Sequence, residues 1–246
     1  MRLFGLIGYP LGHSFSKKYF TQKFSDEGIA DCRYELYPLQ HISQLPELLA
    51  AEPDMVGLSV TIPYKEQVLP FLNEPGVTSV IGACNCIHIR NGRLWGYNTD
   101  TIGFLESFRS ALRPWDTHAL VLGTGGASKA VAYALGELGI AYRYVSRSGP
   151  LTYADVTPSL LEQYTVIINC SPVGTFPDVD EAPLLPYTAL SERHYLFDLV
   201  YNPEKTKFLQ LGEARGATIR NGYEMLRIQA EEAWRIWTTP TPPPVR

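Results

Sequence analysis

The stretch Val121-Leu122-Gly123-Thr124-Gly125-Gly126-Ala127-Ser128-Lys129-Ala130 has the residue types and spacing to hold a phosphate. Gly123 permits a tight turn, and Gly125 and Gly126 let a backbone approach a ligand with no Cβ in the way. Ala127 opens a helical pattern over 127–138, whose first N–H groups and dipole attract an anion. Strand, glycine loop and helix in this order form the arrangement of dinucleotide-binding folds, here with Ser128 where a third glycine is usual. The next strand pattern, 142–145, ends in Ser146-Arg147-Ser148. An NAD site would place an acid there for the ribose hydroxyls. A guanidinium flanked by hydroxyls suits a 2′-phosphate instead, so the pattern points to NADP(H). The plainer alternative is a solvated arginine in a turn.

Other polar residues stand at the ends of apolar stretches. Ser14 and Ser16 flank a helix start and could present hydroxyls and N–H groups to a carboxylate, or one of them could simply cap the helix. Lys65 follows the strand 55–61 through Thr61-Ile62-Pro63-Tyr64, at the carboxyl end of a strand, where open α/β sheets keep their sites. A cation at a helix start is disfavoured by the dipole, a small penalty that hints at function; the bland alternative is a surface lysine. Asp100 closes Gly96-Tyr97-Asn98-Thr99-Asp100 and, read alone, is the N-cap of a helix over 101–112.

The elements that must position these groups alternate along the chain. A strand over 3–7 leads to a helix from about Ser16 with Tyr19, Phe20 and Phe24 on one stripe and Gly28 at its end. Strand 33–37, helix 41–51, strand 55–61 and a helix from Lys65 to Leu72 follow. Asn91-Gly92 marks a hairpin between 84–89 and 93–97, with Asn85 on the opposite side from Cys84 and Cys86. A hinge between 100 and 118 precedes the glycine loop. Strands 165–169 and 195–200, a helix over 204–215 and a long helix ending at Trp237 complete the pattern. The proline-rich stretch 238–246 reads as a disordered tail.

Composition excludes several classes. The 246 residues are 45% hydrophobic with net charge −4 and no long basic run, so neither nucleic acid nor a membrane is an expected partner. No apolar run approaches the ~18 residues of a membrane helix, which makes a cytoplasmic protein the expectation. Four cysteines are too few for a disulfide framework in a chain of this length. Cys84, Cys86 and His88 alternate, but no second Cys/His cluster completes a ligand set, so buried packing is expected and no metal.

Taken in order, these segments resemble the shikimate dehydrogenase family. The residues that carry the likeness are 8–16, Ser59-Val60-Thr61-Ile62-Pro63-Tyr64-Lys65, Gly82-Ala83-Cys84-Asn85-Cys86, 96–100, the glycine loop, Asn169-Cys170-Ser171-Pro172-Val173-Gly174, Asp198-Leu199-Val200-Tyr201-Asn202-Pro203 and 221–230. The resemblance implies a two-domain α/β protein. Residues 1–100 with the C-terminal helix 223–237 would form an α/β substrate domain, and 101–222 a Rossmann-like NADP-binding domain with a parallel sheet. It implies NADPH-dependent reduction of 3-dehydroshikimate to shikimate, on the route to chorismate and aromatic amino acids, by a monomer or homodimer. Lys65 and Asp100 match the family's catalytic pair. Ser14, Ser16, Thr61, Asn85, Asp100, Tyr201 and Gln229 match its substrate contacts. Gly123, Thr124, Gly125, Gly126, Ala127, Ser146, Arg147, Leu199, Gly222 and Met225 match its cofactor side. The chain departs from the family in having Ser59 for Asn, Cys86 for Thr, Lys129 for Arg and Ser146 for Asn. Competing readings are a quinate/shikimate enzyme using NAD, disfavoured by Arg147, and a catalytically silent cofactor-sensing relative, disfavoured by the retention of both Lys65 and Asp100.

Overall fold

The computed structural model describes residues 1–12 and 15–239; Ser14 and the stretch 240–246 of the expected tail lie outside the described residues. The chain forms two compact units, Met1–Thr99 with the chain from Ala230 onward, and Asp100–Gln229.

The first unit is built on β1 (Arg2–Gly8), α1 (Phe15–Asp26), β2 (Cys32–Pro38), α2 (Leu45–Ala51), β3 (Met55–Val60), the short α3 (Tyr64–Gln67) and α4 (Thr78–Ile81), and β4 (Cys86–Arg90) and β5 (Arg93–Tyr97). The sheet order is β2-β1-β3-β4-β5. β1 runs parallel to β2 and β3, whereas β3, β4 and β5 are antiparallel in turn. Asn91 and Gly92 both take positive φ, 50° and 70°, as the two-residue hairpin turn requires. One face buries Leu3, Ile7, Leu58, Val60 and Ile87. The other buries Phe4, Phe20, Phe24 and Tyr34 with Trp237 of the last helix, and the Trp237 indole donates to the Ile87 carbonyl at 2.9 Å.

The second unit runs α5 (Thr99–Arg109), β6 (His118–Leu122), α6 (Gly126–Glu137), β7 (Ala141–Val145), α7 (Pro158–Gln163), β8 (Val166–Asn169), β9 (Tyr195–Asp198), α8 (Lys207–Glu213), β10 (Thr218–Arg220) and α9 (Tyr223–Thr238), with the first residue of α5 and the end of α9 belonging to the first unit. Its sheet is wholly parallel, ordered β10-β9-β8-β6-β7. The chain starts at β6, steps outward to β7 and returns to β8. The order therefore reverses between β6 and β8, the place where such sheets bind ligands. Apolar strand residues such as Val121, Ile168 and Phe197 face α5 and α6 residues on one side, and Leu120, Ile167 and Leu196 pack with α7 and α8 on the other.

The structure corrects several local expectations. The helix after Lys65 is a single turn, continued only by a 3-10 turn at Leu69–Phe71, because Pro70 lacks the N–H an α-helix would use. α5 begins at Thr99, so Asp100 lies inside the first turn and is not the N-cap. Thr238 completes α9 instead of opening a tail. Cys84 precedes β4, and Cys84, Cys86 and His88 are all buried in packing; among the described residues no cluster could hold a metal.

Candidate functional site

In the first unit the polar candidates gather at one end of the sheet. β4 runs antiparallel to β3, so the residues before β4 lie beside those that follow β3. Thr61 leaves β3 with its N–H on the Ile7 carbonyl at 2.9 Å. Its own carbonyl accepts from Tyr64 at 2.9 Å, which turns the chain into α3. The Lys65 carbonyl accepts the Cys84 N–H at 2.7 Å, and the Asn85 carbonyl accepts the Val60 N–H at 2.8 Å. Lys65 and Asn85 are thereby tied to the same strand end as Thr61. Asn85 is buried, and its side chain is engaged: Oδ1 accepts the Thr99 N–H at 2.7 Å and Nδ2 donates to Thr99 Oγ1 at 3.0 Å. Ser16 lies in the first turn of α1, at the carboxyl end of β1.

In the second unit all strands are parallel, so the segments leaving β6, β7, β8, β9 and β10 share one edge. Gly123 takes φ +103°, a conformation that disfavours any side chain, and donates to the Val145 carbonyl at 2.8 Å. Gly125 is the N-cap of α6, and a Cβ built there would meet nothing within 4 Å, leaving open the approach to the helix start. Ser128 is buried and its hydroxyl donates to the Gly125 carbonyl at 2.7 Å, so the residue in the third-glycine position braces the loop from within. Thr124 is exposed and Gly126 and Ala127 half-buried in the same turn. Arg147 is exposed two residues past the end of β7, next to the strand that carries the glycine loop. Ser146 forms a β-bridge with Thr152, and its hydroxyl donates to the Ser148 carbonyl at 2.6 Å. A positive side chain, open N–H groups and a glycine-lined approach fit the phosphates of a dinucleotide.

Leu199 and Gly222 are brought into direct contact. The Gly222 N–H donates to the Val200 carbonyl at 3.2 Å, and a Cβ on Gly222 would strike the Leu199 backbone. Met225 is buried below them, its carbonyl packed against Gly103 of α5. Tyr201 is half-buried, which pushes its phenol pKa up. Gln229 is half-buried too and turns its amide onto the Leu226 carbonyl of its own helix at 2.9 Å. Asp100 is buried in the first turn of α5. Two residues escape a reading of the sequence. Asp198 is a buried acid at the end of β9, and Tyr34 is a buried phenol in β2. The available signal for Asp198 was an acid ending an apolar strand beside a second apolar strand ending in Asn169; for Tyr34 there was none.

Residues 6–87 match the family model described as the shikimate dehydrogenase substrate binding domain. A shikimate dehydrogenase (NADP(+)) of Syntrophomonas wolfei is 37% identical, over 98% of this chain and 91% of the relative. The crystal structure of Aquifex aeolicus shikimate dehydrogenase matches with a TM-score of 0.85 at 30% identity, over all of this chain (100%) and 95% of that one. The structure of Thermus thermophilus shikimate 5-dehydrogenase in complex with NADP(H) and shikimate matches with a TM-score of 0.83 at 32% identity, over 99% of this chain and 96% of that one. No helix among the described residues is long and apolar enough to cross a membrane. With its two sheets, its glycine loop at the point where strand order reverses and these full-length likenesses, the chain belongs to the shikimate dehydrogenase family.

Proposed function

We propose that this chain catalyses the reversible, NADPH-dependent reduction of 3-dehydroshikimate to shikimate, with residues 1–100 and the C-terminal helix 223–237 serving the substrate and 101–222 the cofactor. The reading is carried by one observation: hydroxyl, amide and ammonium groups collect at one end of the first sheet, while the second sheet places a glycine loop and an arginine at the end that binds phosphates. NADP(H), when bound, supplies the hydride. Reduction leaves charge on the ketone oxygen, and the Lys65 ammonium stabilises that charge and donates the proton that completes the hydroxyl. Asp100 orients the lysine and accepts from a substrate hydroxyl. Ser16, with Ser14, takes the carboxylate, and Thr61, Asn85, Tyr201 and Gln229 meet the remaining polar groups. The segment 123–127 holds the pyrophosphate, Arg147 the 2′-phosphate, and Leu199, Gly222 and Met225 line the nicotinamide side. Absorbance at the NADPH band with shikimate and quinate against NADP and NAD tests the proposal. Turnover only with shikimate and NADP is expected. Preference for NAD or quinate favours the first competing reading, and cofactor binding without turnover of either acid favours the silent relative.

A further inference from the structure

We propose that Ser146 is a positioning residue for cofactor choice: its hydroxyl ties the loop around Arg147 into one shape, so that the guanidinium is held ready for a 2′-phosphate. The proposal rests on the reading of Arg147 as the 2′-phosphate contact. Residues 147–150 are exposed, but the loop is anchored at both ends. Val145, at the end of β7, has no exposed surface, and Leu151 is 6% exposed. Between these anchors the loop is drawn into a neck. Ser146 and Thr152 form a parallel β-bridge, and the Ser146 N–H donates to the Leu151 carbonyl at 3.2 Å. Thr152 is itself fixed by Asp155, whose carboxylate accepts its N–H at 2.8 Å and its hydroxyl at 2.7 Å.

Inside the neck, the Ser146 hydroxyl donates to the Ser148 carbonyl at 2.6 Å. This bond joins the two residues that flank Arg147, and so fixes the backbone that carries the guanidinium. Gly149 packs against the tie. Its φ of +156° disfavours a side chain, and a Cβ built there would lie 2.9 Å from the Ser146 hydroxyl oxygen. A hydroxyl has one proton, and this one is committed to Ser148. A phosphate offers only acceptors, so Ser146 acts on it through Arg147. An untied loop of exposed residues would have to be ordered as the phosphate binds, and that ordering would come off the affinity. NAD has no 2′-phosphate and gains nothing from an ordered Arg147. The tie therefore favours NADP over NAD without touching either.

The test uses the full chain as wild type, Ser146→Ala, Arg147→Ala and the double variant. Calorimetric titration with adenosine 2′,5′-bisphosphate reads the phosphate contact, and kcat/KM with NADP and with NAD reads cofactor choice. Ser146→Ala should weaken the bisphosphate and raise the KM for NADP about threefold to tenfold, the scale of one hydrogen bond. The KM for shikimate and kcat/KM with NAD should each stay within about twofold of wild type. In the Arg147→Ala background the same substitution should add less than about twofold, because its effect runs through the arginine. Equal losses with NADP and NAD would make Ser146 a merely structural residue. A full loss that persists without Arg147 would make it a direct contact. Either result, or unchanged bisphosphate affinity in Ser146→Ala, would overturn the tie while Arg147 keeps its role. Unchanged bisphosphate affinity in Arg147→Ala would overturn the 2′-phosphate reading and the tie with it.

Discussion

The side-chain amide of Asn169, the last residue of β8, donates a 2.9 Å hydrogen bond to the carboxylate of Asp198, the last residue of β9 and its partner in register. Asp198 also accepts the Val200 N–H at 3.0 Å and the Thr206 hydroxyl at 2.5 Å, with no exposed surface. Asn169 in turn accepts from the Ser171 hydroxyl at 2.6 Å. One buried acid thus ties together the loops leaving two adjacent strands and the N-cap of α8.

Burial raises the Asp198 pKa from 3.8 to about 6, against the partly offsetting pull of its hydrogen bonds. The folded state therefore holds this proton more tightly than the unfolded chain does. The associated stability is fully present below the unfolded pKa and is lost as pH rises through about 6. Asp198→Asn, which does not titrate, should gain on wild type between pH ~4 and ~7, by no more than about 3 kcal/mol. Asp198→Ala strands its donors and should cost about 1–3 kcal/mol or more at either pH. Urea unfolding at both pH values measures this; a stability difference between wild type and Asp198→Asn that does not change with pH would contradict the assignment.

The network also marks what a sequence can convey. Alternating and apolar runs locate nearly every long element, and the glycines at 123, 125 and 126 locate the turn from β6 into α6. Asp198 and Asn169 were visible as polar ends of apolar strands, but their pairing depends on register between strands 29 positions apart. From sequence alone Asp100 reads as a cap, because no local signal starts α5 earlier; Asn85, 14 residues back, accepts the Thr99 N–H and so fixes the helix start from a distance. β10 spans only Thr218–Arg220, too short for periodicity to register. Tyr34 reaches Ser59 across the sheet, and nothing in the spacing of the two residues announces it.

Cofactor choice should rest on Arg147. Arg147 is exposed two residues past the end of β7, the strand beside the one that carries the glycine loop. Arg147→Ala should weaken NADP use by about 1.5–3 kcal/mol, the worth of a charge-assisted contact, and change NAD use little. Comparing kcat/KM for the two cofactors decides it, and an unaltered NADP/NAD ratio would rule the assignment out.

Gly222→Ala tests the cofactor side from the backbone. The added Cβ would strike the carbonyl group of Leu199, which cannot rotate away as a flexible side chain could. The variant should lose about 1–3 kcal/mol of stability, the usual cost of overpacking, and the displaced 199–201 segment should raise the KM for NADP more than Arg147-independent binding of shikimate. Thermal unfolding with and without NADP separates the two effects. A variant of wild-type stability and cofactor affinity would show that Leu199 and Gly222 do not act together.

The proposed chemistry stands on Lys65 and Asp100. If Lys65 protonates the ketone oxygen, Lys65→Ala should cut kcat by about 10²–10⁴-fold, the scale of general acid–base assistance. NADP affinity should survive, because the glycine loop and Arg147 belong to the second unit whereas Lys65 belongs to the first. Asp100→Asn should also be severe, since it removes the charge that orients the lysine. The double variant should fall far short of the product of the two losses, because residues acting as a unit are not additive. The purely structural alternative forecasts something else. An acid in the first turn of α5 interacts with the helix dipole, worth about 0.3–1 kcal/mol of stability, and its loss would leave turnover intact. A surface Lys65 would tolerate alanine altogether. Measuring kcat, the shikimate KM, NADP affinity and the circular-dichroism melt of all three variants distinguishes the cases. Near-wild-type turnover in a folded Lys65→Ala protein would remove Lys65 from the chemistry and leave Asp100 as a helix-start acid.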